Sequence, residues 1–122
     1  MTKPTEWSIV FYIEENGSSP VREFLEGLDA KTQARFLWSI EQLRLRNVQA
    51  REPLVRHLDD KIWELREESH TDIYRLLYFF FTGKRIIFVH GFQKKTQKTP
   101  RREIELALKR LARFIEREED EL

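Results

Sequence analysis

The chain of 122 residues contains no cysteine. That excludes a disulfide framework and thiolate metal ligation, and it fits a reducing compartment. Its three histidines, His57, His70 and His90, are scattered without a His-x-x-x-His pair, so no metal site is expected. Only four glycines are present, and none falls in a Gly-x-Gly-x-x-Gly or Walker-type loop. No nucleotide cofactor is therefore expected, and nothing calls for any other. None of Ser8, Ser18, Ser19, Ser39 and Ser69 stands in a nucleophile elbow. Long apolar runs are missing as well. The longest, Ile73–Phe81, is interrupted by Arg75 and falls short of the ~20 apolar residues of a membrane helix. The opening MTKPTEW has no apolar segment after a basic start and does not read as a secretory signal. Together these absences point to a cytoplasmic protein with no membrane partner.

What is present is charge, and it is segregated. The formal net charge is only +1, yet Lys84 to Arg113 holds ten Lys and Arg against two Glu. The stretch Glu116–Glu121 carries five acids and one Arg. A basic segment inside a near-neutral chain suggests a polyanionic partner, against the plainer reading of a solvated helix face.

The length suits one domain over residues 1–122, with an acidic tail at about 116–122. At this size folding buries roughly two-thirds of the unfolded surface, enough for one core. Trp7–Ile13 is β-branched and aromatic and stops at a turn, so it predicts a strand. A helix follows, with Ser19 as N-cap, Pro20 in its first turn and Gly27 at its end. Asp29 caps a second helix over Ala30–Asn47 with a broad apolar face. Residues 48–60 show no sustained period and read as a connection. Three strands are then predicted, Lys61–Glu67, Ile73–Phe81 and Lys84–Gln93, joined by short turns as an antiparallel meander. The middle one is apolar on both faces, as a central covered strand requires. Thr99 and Pro100 open a last amphipathic helix through Ile104, Ala107, Leu108, Leu111 and Ile115. The expectation is an α+β domain of order β-α-α-β-β-β-α, its sheet mainly antiparallel and packed against helices.

Arg75 lies among apolar neighbours, and arginine is almost never fully buried without a partner. A turn centred near His70 and Thr71 brings Arg66 roughly opposite Arg75. Two cations side by side are relieved either by a bound anion or by Glu64, Glu67 or Asp72. His90 precedes Gly91, whose place in a strand marks a bulge or a close backbone approach. Beyond that strand, Lys94, Lys95 and Lys98 crowd the N-terminal turn of the last helix, where free N–H groups also favour anions. Thr96, Gln97 and Thr99 add neutral donors. With Arg66 and Arg75 the loop forms a candidate phosphate cradle.

The pieces IWELRE, YRLLYFF and GKRIIFVHGFQKKTQKTPRREIELA together resemble the HigB-like branch of the RelE/ParE toxin superfamily, over about Trp7 to Phe114. The resemblance implies a RelE-like fold with the element order above. It implies a toxin of a type II toxin–antitoxin system that cleaves mRNA on the ribosome without a metal. It implies inhibition by a cognate antitoxin, a helix-turn-helix protein of the HigA kind. Cleavage of this type uses the ribose 2′-OH as nucleophile on the adjacent phosphate. It needs a base for the 2′ proton, charge stabilisation on phosphorus and an acid for the leaving 5′ oxygen. The resemblance carries these roles to Arg66, Arg75, Lys94 and Lys95, with His90 or a lysine as proton carrier. Lys98, Thr96 and Arg101 are expected on phosphate, and Tyr74 or Tyr78 under a splayed base. A gyrase-targeting toxin of the ParE kind and a non-catalytic nucleic-acid-binding module remain as alternatives.

Overall fold

The computed structural model describes residues 7–46, 55–69 and 72–121. Its elements are β1 (Ser8–Phe11), α1 (Pro20–Glu26), α2 (Ala30–Arg46), β2 (Val55–Asp59), β3 (Ile62–Ser69), β4 (Asp72–Phe81), β5 (Arg85–Lys94) and α3 (Arg101–Asp120). The five strands form one mixed sheet in the order β1-β5-β4-β3-β2. The α+β expectation holds, with β4 at the centre and β1 parallel to β5 at one edge. One strand was not expected. β2 lies in the stretch 48–60 that reads in sequence as a connection, the earlier part of which falls outside the described residues. Its side chains are mostly half-exposed or exposed, as befits an edge strand, and so give little periodic signal.

Alternation along β4 sorts the core into two layers. Leu76 and Tyr78 pack with Val21, Leu25, Phe36, Ile40 and Leu43 of α1 and α2. Leu77 and Phe79 pack with Ala107 and Leu111 of α3 on the other face. Both faces of the central strand are thus covered by helices, which explains its uninterrupted apolar run.

Local signals place these helices. The Asp29 carboxylate accepts from the Thr32 N–H at 2.9 Å and caps α2, which holds its pKa below the usual value. At α1, Ser19 occupies the N-cap position without a side-chain cap bond, and Pro20 starts the helix. Gly91 is a site of close approach. A Cβ there would meet the Phe24 ring at 2.5 Å, so only glycine lets α1 settle on β5. The turn between β4 and β5 uses positive φ at Gly83 and Lys84. No helix among the described residues is long and apolar enough to cross a membrane.

The acidic tail continues α3 instead of folding back. Glu118 pairs with Arg85, and Arg117 donates to the Ile13 carbonyl. Arg117 and Glu118 lie near the far end of α3, about 25 Å along its axis from the loop that precedes it. They do not screen the lysines there.

Candidate nucleic-acid interface

The antiparallel pairing of β3 and β4 sets Arg66 directly opposite Arg75, as the turn position predicts. Glu64, two residues before Arg66, shares their face. Glu64 and Arg75 are both fully buried. One Glu64 oxygen accepts from Arg66 Nε at 2.5 Å. The other accepts from Thr99 Oγ1 and lies 3.7 Å from Arg75 Nε. Of the three acids considered for this pair, Glu64 is therefore the one that serves. Glu67 is on the opposite face, where it accepts from Ser39 Oγ at 2.7 Å and pairs with Arg35.

The remaining guanidinium N–H groups hold the loop between β5 and α3. Arg75 donates to the carbonyl of Thr96 and, at 3.2 Å, to that of Lys98. Arg66 donates to the Gln97 carbonyl and, at 3.2 Å, to its side-chain Oε1. Three successive carbonyls thus turn inward onto two cations. The Phe92 ring supports Arg75 from below, its centroid 5.7 Å from Cζ. Burial pulls the Arg75 pKa below its ordinary value, Glu64 opposes this, and Arg66 and Arg56 act with burial. Thr99 is drawn into this cluster, which is why it makes no cap bond and α3 begins with Pro100 at its N-cap position.

This geometry redistributes the expected roles. Lys95, Thr96 and Lys98 are exposed, and Lys94 is half-buried where β5 ends opposite Ile73. They can meet a polyanion. Arg75 is fully buried and its two terminal nitrogens donate to the loop, so its fork is not offered to phosphate, and Arg66 keeps only a narrow exposed edge. Tyr78 is fully buried, and its ring has no face free for a base. Burial pushes its hydroxyl pKa well up. Tyr74 packs with the α1–α2 layer, on the opposite side of the sheet from Arg75. Strand parity alone separates the two, since they are adjacent in sequence. Arg101 is exposed and bonded to Asp59, which raises its pKa and ties the end of β2 to the start of α3.

His90 belongs to a separate network. Its Nε2 lies 2.8 Å from Glu103 Oε1, and its Nδ1 lies 3.3 Å from Arg110 Nη1. Arg110 can only donate, so Nδ1 accepts and Nε2 carries the proton. Burial holds the His90 pKa below the usual value despite Glu103. Its partners come from α3, whose register over β5 the strand sequence alone does not reveal. His70 lies outside the described residues. Among those described, no three His, Cys, Asp or Glu side chains gather as a metal-ligand group.

A helix-covered mixed sheet that presents a clamped lysine loop defines a basic-loop α+β protein. The chain belongs to the family described as phage derived protein Gp49-like (DUF891), whose model matches residues 23–112. That family is of the RelE/HigB toxin type and is associated with the toxins of toxin–antitoxin systems. Among curated proteins no significant match to the chain is found.

Proposed function

We propose that the protein is the toxin of a type II toxin–antitoxin pair, of the HigB kind, and cleaves mRNA on the ribosome. The observation that carries this reading is the loop itself. Its carbonyls are clamped by Arg66 and Arg75, which leaves Lys95 and Lys98 displayed on a rigid base beside Lys94. Preorganised cations of this kind suit the negative charge that grows on phosphorus during 2′-OH attack. The 2′ oxygen forms its bond to phosphorus as its proton passes to a base. The 5′ oxygen leaves and takes a proton. The products are a 2′,3′-cyclic phosphate and a 5′-hydroxyl end.

Lys95 and Lys98 stabilise the phosphorane, and Lys94 or Lys95 takes the 2′ proton. Arg66 and Arg75 are positioning residues that act through the loop. His90 is held by Glu103 and Arg110 and serves the layer under α3. The reaction needs no metal in this scheme. A HigA-like helix-turn-helix antitoxin silences the protein by covering the lysine face.

Inducible expression in a bacterium lacking the antitoxin, with primer extension on cellular mRNAs, tests the reading. Wild type is expected to arrest growth and cut translated frames. Lys94→Ala/Lys95→Ala, with an unchanged melting temperature, is expected to do neither. Arrest with intact mRNA overturns the nuclease and moves the target to gyrase. No arrest by the wild type leaves a binding module.

A further inference from the structure

α2 is apolar on two sides. Phe36, Ile40 and Leu43 are buried toward the sheet. Away from it, Lys31, Ala34, Trp38, Glu41 and Leu45 are all exposed and recur at alternating intervals of three and four residues. That spacing keeps them in one line along the helix, as in the seam of a helix pair. Four large hydrophobic side chains are exposed among the described residues, and three of them, Leu37, Trp38 and Leu45, belong to α2. Trp38 is 63% exposed. Apolar surface gathered in this way marks an interaction face, whereas scattered single residues do not. Beside Trp38 lies a groove of about 450 Å³. Ala34 lines it between Lys31 and Arg35, with Ser39 and Glu67 at its floor. The floor is fixed, since Glu67 accepts from Ser39 Oγ at 2.7 Å and Arg35 donates to the Glu68 carbonyl at 2.9 Å. A small residue beside a gap thus stands one turn from a large, exposed one.

We infer that a second copy of this chain docks on this face, its α2 antiparallel to the first. Reversing the helix about position 36 sets Trp38 against Ala34 of the second copy and Lys31 against Glu41 of the second copy. Bulk meets gap and cation meets anion, and a two-fold axis makes each contact twice. A parallel pairing in register would instead set tryptophan on tryptophan and like charge on like. Glu41 is bonded to Arg44 of its own helix at 2.6 and 3.0 Å, one contact to each oxygen. Each oxygen keeps a further lone pair for the incoming lysine. The two indoles supply most of the affinity, and the exposed ion pairs fix direction and register. One helix face per copy makes a small interface, so the dimer is a weak one. α2 covers the sheet face opposite the one on which Arg75 clamps the lysine loop. Both lysine loops therefore stay in water, and the assembly carries two of them. The inference is independent of whether the protein cuts RNA.

Sedimentation equilibrium of the purified chain across the micromolar range tests it. The wild type is expected to pass from one chain to two as concentration rises. Trp38→Ala is expected to weaken association about 30-fold, with an unchanged melting temperature in dilute solution, because the side chain is exposed. Lys31→Glu is expected to weaken it about tenfold by setting like charges together. Adding Glu41→Lys to Lys31→Glu restores the opposite charges and is expected to return association to the wild-type level. A wild type that stays monomeric throughout overturns the inference and leaves the face to a foreign partner. A dimer that survives Trp38→Ala overturns the assignment to α2. Unchanged association in Lys31→Glu, or a loss that Glu41→Lys does not repair, overturns the antiparallel pairing.

Discussion

The two faces of the central sheet are built on opposite principles. Toward α1 and α2 the sheet is closed by fit: Leu65, Leu76, Tyr78 and Phe88 interlock with helix side chains, and Phe24 rests on the bare backbone of Gly91. Toward α3 its far end is closed by charge: one carboxylate, two guanidiniums and three carbonyls replace hydrocarbon. An apolar face tolerates any good packing, whereas an ionic one demands fixed partners. The second arrangement is suited to holding a loop in one shape while its side chains stay in water.

Glu64→Ala tests that contrast most severely. It leaves Arg75 buried without its carboxylate and is expected to cost about 3–5 kcal/mol in urea unfolding. Glu64→Leu combined with Arg75→Met is expected to recover part of the loss in stability and none of the mRNA cleavage. A loss below about 1 kcal/mol for Glu64→Ala would show that the carboxylate does not organise this face.

On the apolar side, Gly91→Ala forces a methyl group into the Phe24 ring and is expected to cost about 1–3 kcal/mol by overpacking. Phe24→Leu in the same chain should relieve much of it. If Gly91→Ala unfolds like the wild type, α1 does not press on β5 as described.

The His90 network adds a smaller, pH-dependent effect. Burial favours the neutral imidazole, so the unfolded chain binds this proton more readily than the folded one. Its contribution to stability is full above 6.5 and is lost as pH falls below that value toward the depressed folded pKa. Unfolding at pH 7.5 and 5.5 should show a steeper acid loss in the wild type than in His90→Gln. Parallel losses would mean that the ring is solvated.

The smallest change is expected from Tyr78→Phe. The Tyr78 hydroxyl is buried and makes no hydrogen bond among the described residues. Its removal should be neutral or stabilising by up to about 1 kcal/mol. A clear destabilisation would reveal a partner for the hydroxyl.

Much of the fold was legible because its signals are local. Asp29 caps where a cap was expected, Gly91 marks a close approach, and the register that opposes Arg66 to Arg75 follows from the turn between their strands. The separation of Tyr74 from Arg75 was equally legible, since neighbours in a strand point apart. Tyr78 was harder, because its burial depends on α1 and α2. β2 escaped notice because an edge strand has weak periodicity.

The sequence by itself determined the helix-flanked sheet, its central strand and the lysine loop, because periodicity, caps and turns act over a few residues. Tertiary structure alone decided which charges are free. Arg66, Arg75, Glu64 and Thr99 come from three separate stretches of chain, and each is exposed or neutralised only through the others. Coulomb energy and desolvation depend on distance in space, and sequence spacing carries little of that information.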